Sequence, residues 1–526
     1  MSRRVVVAFA IALVVNAAQT PFFQVEPAWD LDVPPNVNAT GNLIFDTVSS
    51  ALTHWTHTRY RNGHNLIPGT VPVGTLLYHG RGDPDVRSGV PDWVATDPEH
   101  SFMFCRTLKP EEGCWHLTLA TTRPLKILYF DGSSAAKMRD GPMDSQDIVA
   151  WGKVIPERYF DERQRIIDIC HWGKQFGVDG YVRMEMDFEI MLCDFTEGVD
   201  VVALASLTRE GNGIPGPGRR RPPPGDPYLN LAPNSDLASE VIYSGSWHNH
   251  YPGDRRIQLD LTALVSFYDT QLVPSLVPVR FGQERWDHRL LGISADDADS
   301  VLARLESVLS AGIPSRNATG VDWDTLFKVI VDRYADRLEI AQYLLNNTTN
   351  ATDTAQRVMK QLHIMLTPYL LHSASPSGKG NSWAAPIYEF CATSHTSYIH
   401  RTSAILSRMT ASEHLLLGAV DQVNREICRI VVSMWVQGVD AGLDEIVRPP
   451  IVIDSDNEEV LVQHWNSALA GLMSWLDWSI WVRCRPACNF EEICYLPTWP
   501  FGRGVHEIPD KEDFLRPKPR CIPRIE

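Results

Sequence analysis

The segment Arg183-Met-Glu-Met-Asp-Phe-Glu-Ile-Met-Leu192 sets carboxylates into an otherwise apolar stretch. At the two-residue period of a β-strand, Glu185, Asp187 and Glu189 fall on one face. Such a row is either the wet face of a strand or a working pair of acids. Paired carboxylates hydrolyse glycosides, one as acid and the other as nucleophile or base. A second segment, Gly74-Thr-Leu-Leu-Tyr-His-Gly-Arg81, ends an apolar run in an imidazole and a glycine. After it comes Asp92-Trp-Val-Ala-Thr-Asp-Pro-Glu-His-Ser-Phe-Met-Phe-Cys105. A planar ligand needs a π-face and a backbone edge that no side chain blocks, and Phe104 and Gly80 offer those two groups. His248-Asn-His250 puts two imidazoles on one strand face with no third ligand, so no metal is assigned. No G-x-S-x-G, P-loop or H-E-x-x-H run occurs.

The order of these groups resembles the start of an ADP-ribosyltransferase fold of the His-Tyr-Glu class. His79 and Gly80 match its first strand, and Ala95, Ser101 and Phe104 match its second strand and short helix. The resemblance implies a glycine backbone paired with the nicotinamide amide, a histidine on a ribose hydroxyl and an aromatic ring stacked on nicotinamide. Glu189 would be the catalytic glutamate of a later strand, with His79 beside it. NAD is then a substrate rather than a bound cofactor, and His79, Gly80, Ser101 and Phe104 would hold it. The pattern departs from the family at Phe104, where tyrosine is usual, at Val94, where an aromatic is usual, and at Arg81, where a small hydroxyl residue is usual. The similarity covers about residues 70–195, and the chain as a whole resembles uncharacterised secreted fungal proteins.

Short runs separated by Gly, Pro and Asp turn signals would carry these groups as strands: Gly74–Tyr78, Trp93–Thr96, His116–Ala120, Lys126–Phe130, Gly180–Met184 and Phe188–Cys193. Residues Asn42–Tyr60 read as a helix with Ile44, Val48, Leu52 and Trp55 on one face, which leaves His54 and His57 at the surface. Glu162–Gln175 reads as a second helix. The fold class is an α+β N-terminal domain, a mixed sheet with helices of transferase-like type, followed by a mainly α-helical C-terminal domain. Its boundaries are 40–205 for the α+β domain, 206–236 for a Pro/Gly/Arg-rich exposed loop and 237–312 for a sheet-completing segment and helix. A helical domain over 321–483 and a Cys-rich tail over 484–526 follow. In the helical part, Trp323, Phe327, Ile330 and Tyr334 share one face, and Glu413–Gln437 forms a long helix.

Export is written at the N-terminus. Arg3 and Arg4 precede an apolar run, Val5 to Val15, of about eleven residues, the length of a signal-peptide core, and small residues follow, so 1–17 reads as a signal peptide. N-x-[ST] acceptors stand at Asn38, Asn317, Asn346, Asn347 and Asn350. The ten cysteines are expected as disulfides, Cys105 with Cys114 and the tail's Cys484, Cys488, Cys494 and Cys521 among themselves. A net charge of −16 disfavours nucleic acid and anionic lipid as partners, and no membrane span is expected after signal cleavage. Three readings stay open: an NAD-dependent glycosyl-type transferase, a secreted carbohydrate-active hydrolase using the paired carboxylates, and a non-catalytic extracellular binding protein.

Overall fold

The computed structural model describes residues 29–86, 89–102, 104, 106–107, 113–184, 186–207, 214–215, 253–311, 319–376, 380–444, 455–498 and 516–523. The signal segment, the 216–236 loop, Glu185, His248, His250 and Asn317 lie outside the described residues.

The N-terminal part is a mixed sheet with helices, and the C-terminal region is mainly helical. Its first elements are α1 (Gly41–Ser49), β1 (Asn65–Val71), β2 (Leu76–Arg81), β3 (Asp92–Ala95), α2 (Pro98–Phe102), β4 (Trp115–Thr121) and β5 (Leu125–Phe130). Then come α3 (Asp144–Trp151), α4 (Glu162–Gly173), β6 (Gly180–Met184), β7 (Phe188–Leu192), β8 (Val199–Ser206), β9 (Gln258–Leu259) and β10 (Val265–Ser266). Among the described residues the strands run β9-β1-β5-β6-β7-β3-β2-β4-β8, with β10 also on β1. Only the β5–β6 pair among these is parallel.

Alternation sends the side chains of the central strands to two cores. Leu77, Val94, Val182 and Ile190 enter one core together with the C-terminal helices, which are α6 (Trp323–Asn346), α7 (Ala351–Leu366), α8 (Ala385–Thr393), α9 (Ala411–Asp440) and α10 (Ser455–Leu476). That core runs without a break from the sheet into the helices. Leu66, Leu128, Tyr181 and Met191 enter the other core, under α3, α4 and α5 (Ala295–Ser310). The expected stripe of Trp323, Phe327, Ile330 and Tyr334 on α6 is buried throughout.

Two local expectations are corrected. The helix expected over 42–60 stops at Ser49, because Leu52 turns to φ 60° and the Ser50 hydroxyl donates back to the Asp46 carbonyl at 2.5 Å. His54 and His57 consequently fold inward and are buried. Asp187 and Glu189 likewise do not share one strand face. Met184 pairs with Phe188, which places Met186 and Asp187 in the bend between β6 and β7, where the Phe188 N–H donates to Asp187 Oδ1 at 2.7 Å. Period two does not carry across a chain reversal.

Disulfides tie the layers together: Cys170–Cys193 joins α4 to the end of β7, and Cys391–Cys428 joins α8 to α9. In the tail, Cys484–Cys494 and Cys488–Cys521 pair internally around the hairpin of β11 (Glu492–Tyr495) and β12 (Arg520–Pro523). Cys114 is disulfide-bonded, and Cys105 lies outside the described residues. Helix α9 starts in a capping box in which the Glu413 N–H donates to Thr410 Oγ1 at 3.1 Å and the Thr410 N–H donates to Glu413 Oε2 at 2.9 Å. The Thr410 hydroxyl also donates to the Thr262 carbonyl at 2.7 Å, docking the helix on the sheet-completing segment. Thr410→Ala removes both roles, and chemical denaturation is expected to show a loss of about 1–2 kcal/mol.

Candidate functional site

Strands β2, β3 and β7 lie side by side, so the segments singled out in the sequence do meet in space. The register aligns Tyr78 with Ala95 and Ala95 with Glu189, and on the far side of β7 Glu189 faces Arg183 of β6. Directly opposed residues of antiparallel strands share a face. Tyr78, Ala95, Glu189 and Arg183 therefore form one row across the sheet. His79 is one residue out of phase with Tyr78 and points to the opposite face, with Leu77.

On that opposite face His79 is enclosed. Its Nδ1–H donates to the Trp93 carbonyl at 2.6 Å, and its ring stands edge-on to Phe195 with centroids 5.1 Å apart. Burial lowers its pKa, against the nearby carboxylate of Asp92. Gly80 pairs with His116 of β4 on the Glu189 face. Ser101, at the end of α2, meets the same histidine, with Oγ 2.8 Å from His116 Nε2 and 2.9 Å from the Pro98 carbonyl. Burial lowers the His116 pKa, against the Pro98 carbonyl and the Glu99 carboxylate. With the Ser101 proton on the Pro98 carbonyl, the Nε2–H of His116 donates to Oγ, a structural bond rather than a base activating a nucleophile. Phe104 is half exposed, and its ring leans on His100 at 5.6 Å.

Glu189 is occupied. Its Oε1 is ion-paired with Arg183 Nε, Arg183 also pairs with Glu162 Oε2, and Arg165 continues the chain to Glu162 at 3.1 Å and to Asp147 at 3.0 Å. Every member of this ladder is buried. Desolvation alone would lower the Arg183 pKa, but the carboxylates of Glu162 and Glu189 reverse that and raise it. Desolvation would raise Glu162, and Arg183, Lys137 and Arg165 outweigh it so that the pKa falls. At the far end burial wins, and Asp147 is pushed up to about 6 in spite of Arg165.

Asp187 has different partners. His54 Nε2 lies 2.7 Å from its Oδ1, both side chains are fully buried, and the imidazole stands edge-on to Phe188. Asp187 and Glu189 thus serve separate networks on either side of their hairpin. Sequence reasoning gave no role to Arg183, Glu162, Arg165 and Asp147, and placed His54 at the surface. One signal was present, since an arginine inside Gly180-Tyr-Val-Arg-Met184 needs a buried anion. Which anion answers it is a matter of register.

Comparison with known proteins adds kinship. Residues 110–217 match the family model described as the YPL277C N-terminal domain, a stretch that contains the whole charge ladder and excludes His79. The chain is similar to the uncharacterized protein YOR389W of Saccharomyces cerevisiae, with 24% identity over 550 residues covering 88% of this chain and 82% of that one. It is also similar to the uncharacterized protein YPL277C of the same yeast, with 26% identity over 388 residues, 58% of this chain and 75% of that one. No solved structure matches.

Proposed function

We propose that this chain is an exported, disulfide-stapled extracellular protein that binds rather than catalyses, on a sheet whose transferase-like positions serve as scaffold. The observation that carries this reading is the closure of the Glu189 carboxylate by Arg183 inside a buried ladder. A catalytic glutamate must be free to meet charge developing on its substrate, and this one is already neutralised. Export is supported by the disulfides, by the leader-like N-terminal sequence and by the exposure of the acceptors Asn38, Asn346, Asn347 and Asn350. Among the described residues, no helix is long and apolar enough to cross a membrane.

NAD-dependent transfer is the second reading, favoured by one observation: β2, β3 and β7 are neighbours in the order that reading needs. The test is incubation of the purified protein with NAD and measurement of nicotinamide release. The binding reading expects release no faster than the blank, with Glu189→Gln changing stability alone. Release that the wild type supports and Glu189→Gln abolishes would establish the transferase instead.

A further inference from the structure

On the helical side of the molecule lies a groove of about 990 Å³, bounded by the turn before α1, the loop after β10, α5 and α9. That volume is at the upper end of the range of small-ligand clefts. Its floor is a face of α9 that carries Gly418 and Ala419. Gly418 sits in the middle of a 30-residue helix, where glycine costs roughly 1 kcal/mol relative to alanine. A Cβ placed there would meet nothing within 4 Å, so packing within the chain does not require the glycine. The rim is polar, with Asn38, Gln271, Arg304, His414 and Gln422. The Arg304 guanidinium has no ion pair or hydrogen bond within the chain among the described residues. A helix face of small residues, Ala411, Gly418 and Ala419, flanked by amide and guanidinium donors, suits a sugar ring with its acetamido and hydroxyl groups.

One rim residue can supply that sugar. Asn38 is exposed in a turn in which its N–H donates to Asn36 Oδ1 at 2.9 Å, and it opens the triplet Asn38-Ala39-Thr40. The Thr40 hydroxyl donates to the Tyr268 carbonyl at 2.8 Å and holds the triplet against the loop that forms the groove wall. We propose that the N-glycan of Asn38 folds back into this groove and lays its first N-acetylglucosamine residues over Gly418. The inference rests on the export reading. Attachment joins Asn38 Nδ2 to C1 of the first sugar, with loss of one amide proton and departure of the lipid pyrophosphate of the oligosaccharide donor. The docked glycan then acts as a prosthetic part of the fold, bridging the N-terminal turn to α9.

The experiment uses the full chain secreted from a fungal host. Glycopeptide mapping reads occupancy at each acceptor, and an endoglycosidase that cuts between the first two sugars is applied before and after denaturation. The Asn38 glycan should be released about tenfold more slowly from the native protein than the glycan of the 346–350 cluster, equivalent to ~1.4 kcal/mol of docking. Denaturation should abolish the difference. Gly418→Phe fills the groove and should remove the protection while leaving occupancy unchanged. An occupied Asn38 whose glycan is released as fast as the others, before and after Gly418→Phe, overturns the docking. So does an empty Asn38 in a chain glycosylated elsewhere. A chain retained in the cell with no acceptor occupied overturns the export reading itself.

Discussion

Replacing Arg183 with methionine will destabilise the protein by about 3–5 kcal/mol, the cost of removing one partner from a buried ion pair. Methionine keeps the apolar stem beside Trp93, whose ring lies 5.9 Å from the guanidinium, so the loss reports charge rather than volume. The substitution removes the cation between Glu189 of β7 and Glu162 of α4, leaving Glu162 with Arg165 at 3.1 Å and Lys137 at 3.9 Å as its remaining cations. Adding Glu189→Gln and Glu162→Gln to Arg183→Met should recover a large part of the loss, because the stranded charges go with them. Urea denaturation of the single and triple variants measures both quantities. A single-variant loss under about 1 kcal/mol, the range of an exposed ion pair, would show that the ladder is hydrated and would return Glu189 to the candidates for chemistry.

The second large effect is a pH dependence carried by His57. Burial, reinforced by the Arg285 charge, lowers its pKa to about 3, and Ser50 Oγ lies 2.9 Å from its Nδ1. A histidine whose pKa is lower folded than unfolded stabilises the fold fully above the unfolded value of about 6.5 and loses that contribution as the pH falls towards 3. The slope is about 1.4 kcal/mol per pH unit, so His57 accounts for about 3 kcal/mol between pH 6 and pH 4. Asp131 acts with the opposite sign. Desolvation pushes it up to about 6 despite hydrogen bonds from the Asn65 and His64 N–H groups and the Asn65 amide. Its contribution is complete below the unfolded value near 3.8 and is lost as the pH rises through 6. The two partly cancel in the wild type, which makes paired variants the right measurement. Relative to wild type, His57→Gln should gain stability as the pH falls from 6 to 4, and Asp131→Asn should lose it. Parallel stability curves for wild type and His57→Gln across that range would show that His57 is protonated in the folded protein.

Much of the local structure is determined by the sequence. The runs around His79, Val94, Leu117 and Ile190 alternate or cluster apolar residues between turn signals, and each is a strand. Ser294 caps α5 locally, its Oγ accepting from the Asp297 N–H three residues on at 3.1 Å. The tail cysteines pair among themselves because short separations leave them few other partners within reach. These are properties of neighbours along the chain. The face on which each group works is not such a property. A slip of one residue between strands moves a side chain through the sheet, and the register that sends Glu189 to Arg183 and His79 away from both is set by hydrogen bonds between distant segments. The same holds for the turn that separates Asp187 from Glu189 and for His54, carried inward when α1 ends early to meet Asp187 at a sequence distance of 133 residues. Residue types and spacing settled which groups could do chemistry. Strand register and long-range burial decided that the glutamate is spent on an arginine, because a buried charge takes the nearest opposite charge that the fold brings to it.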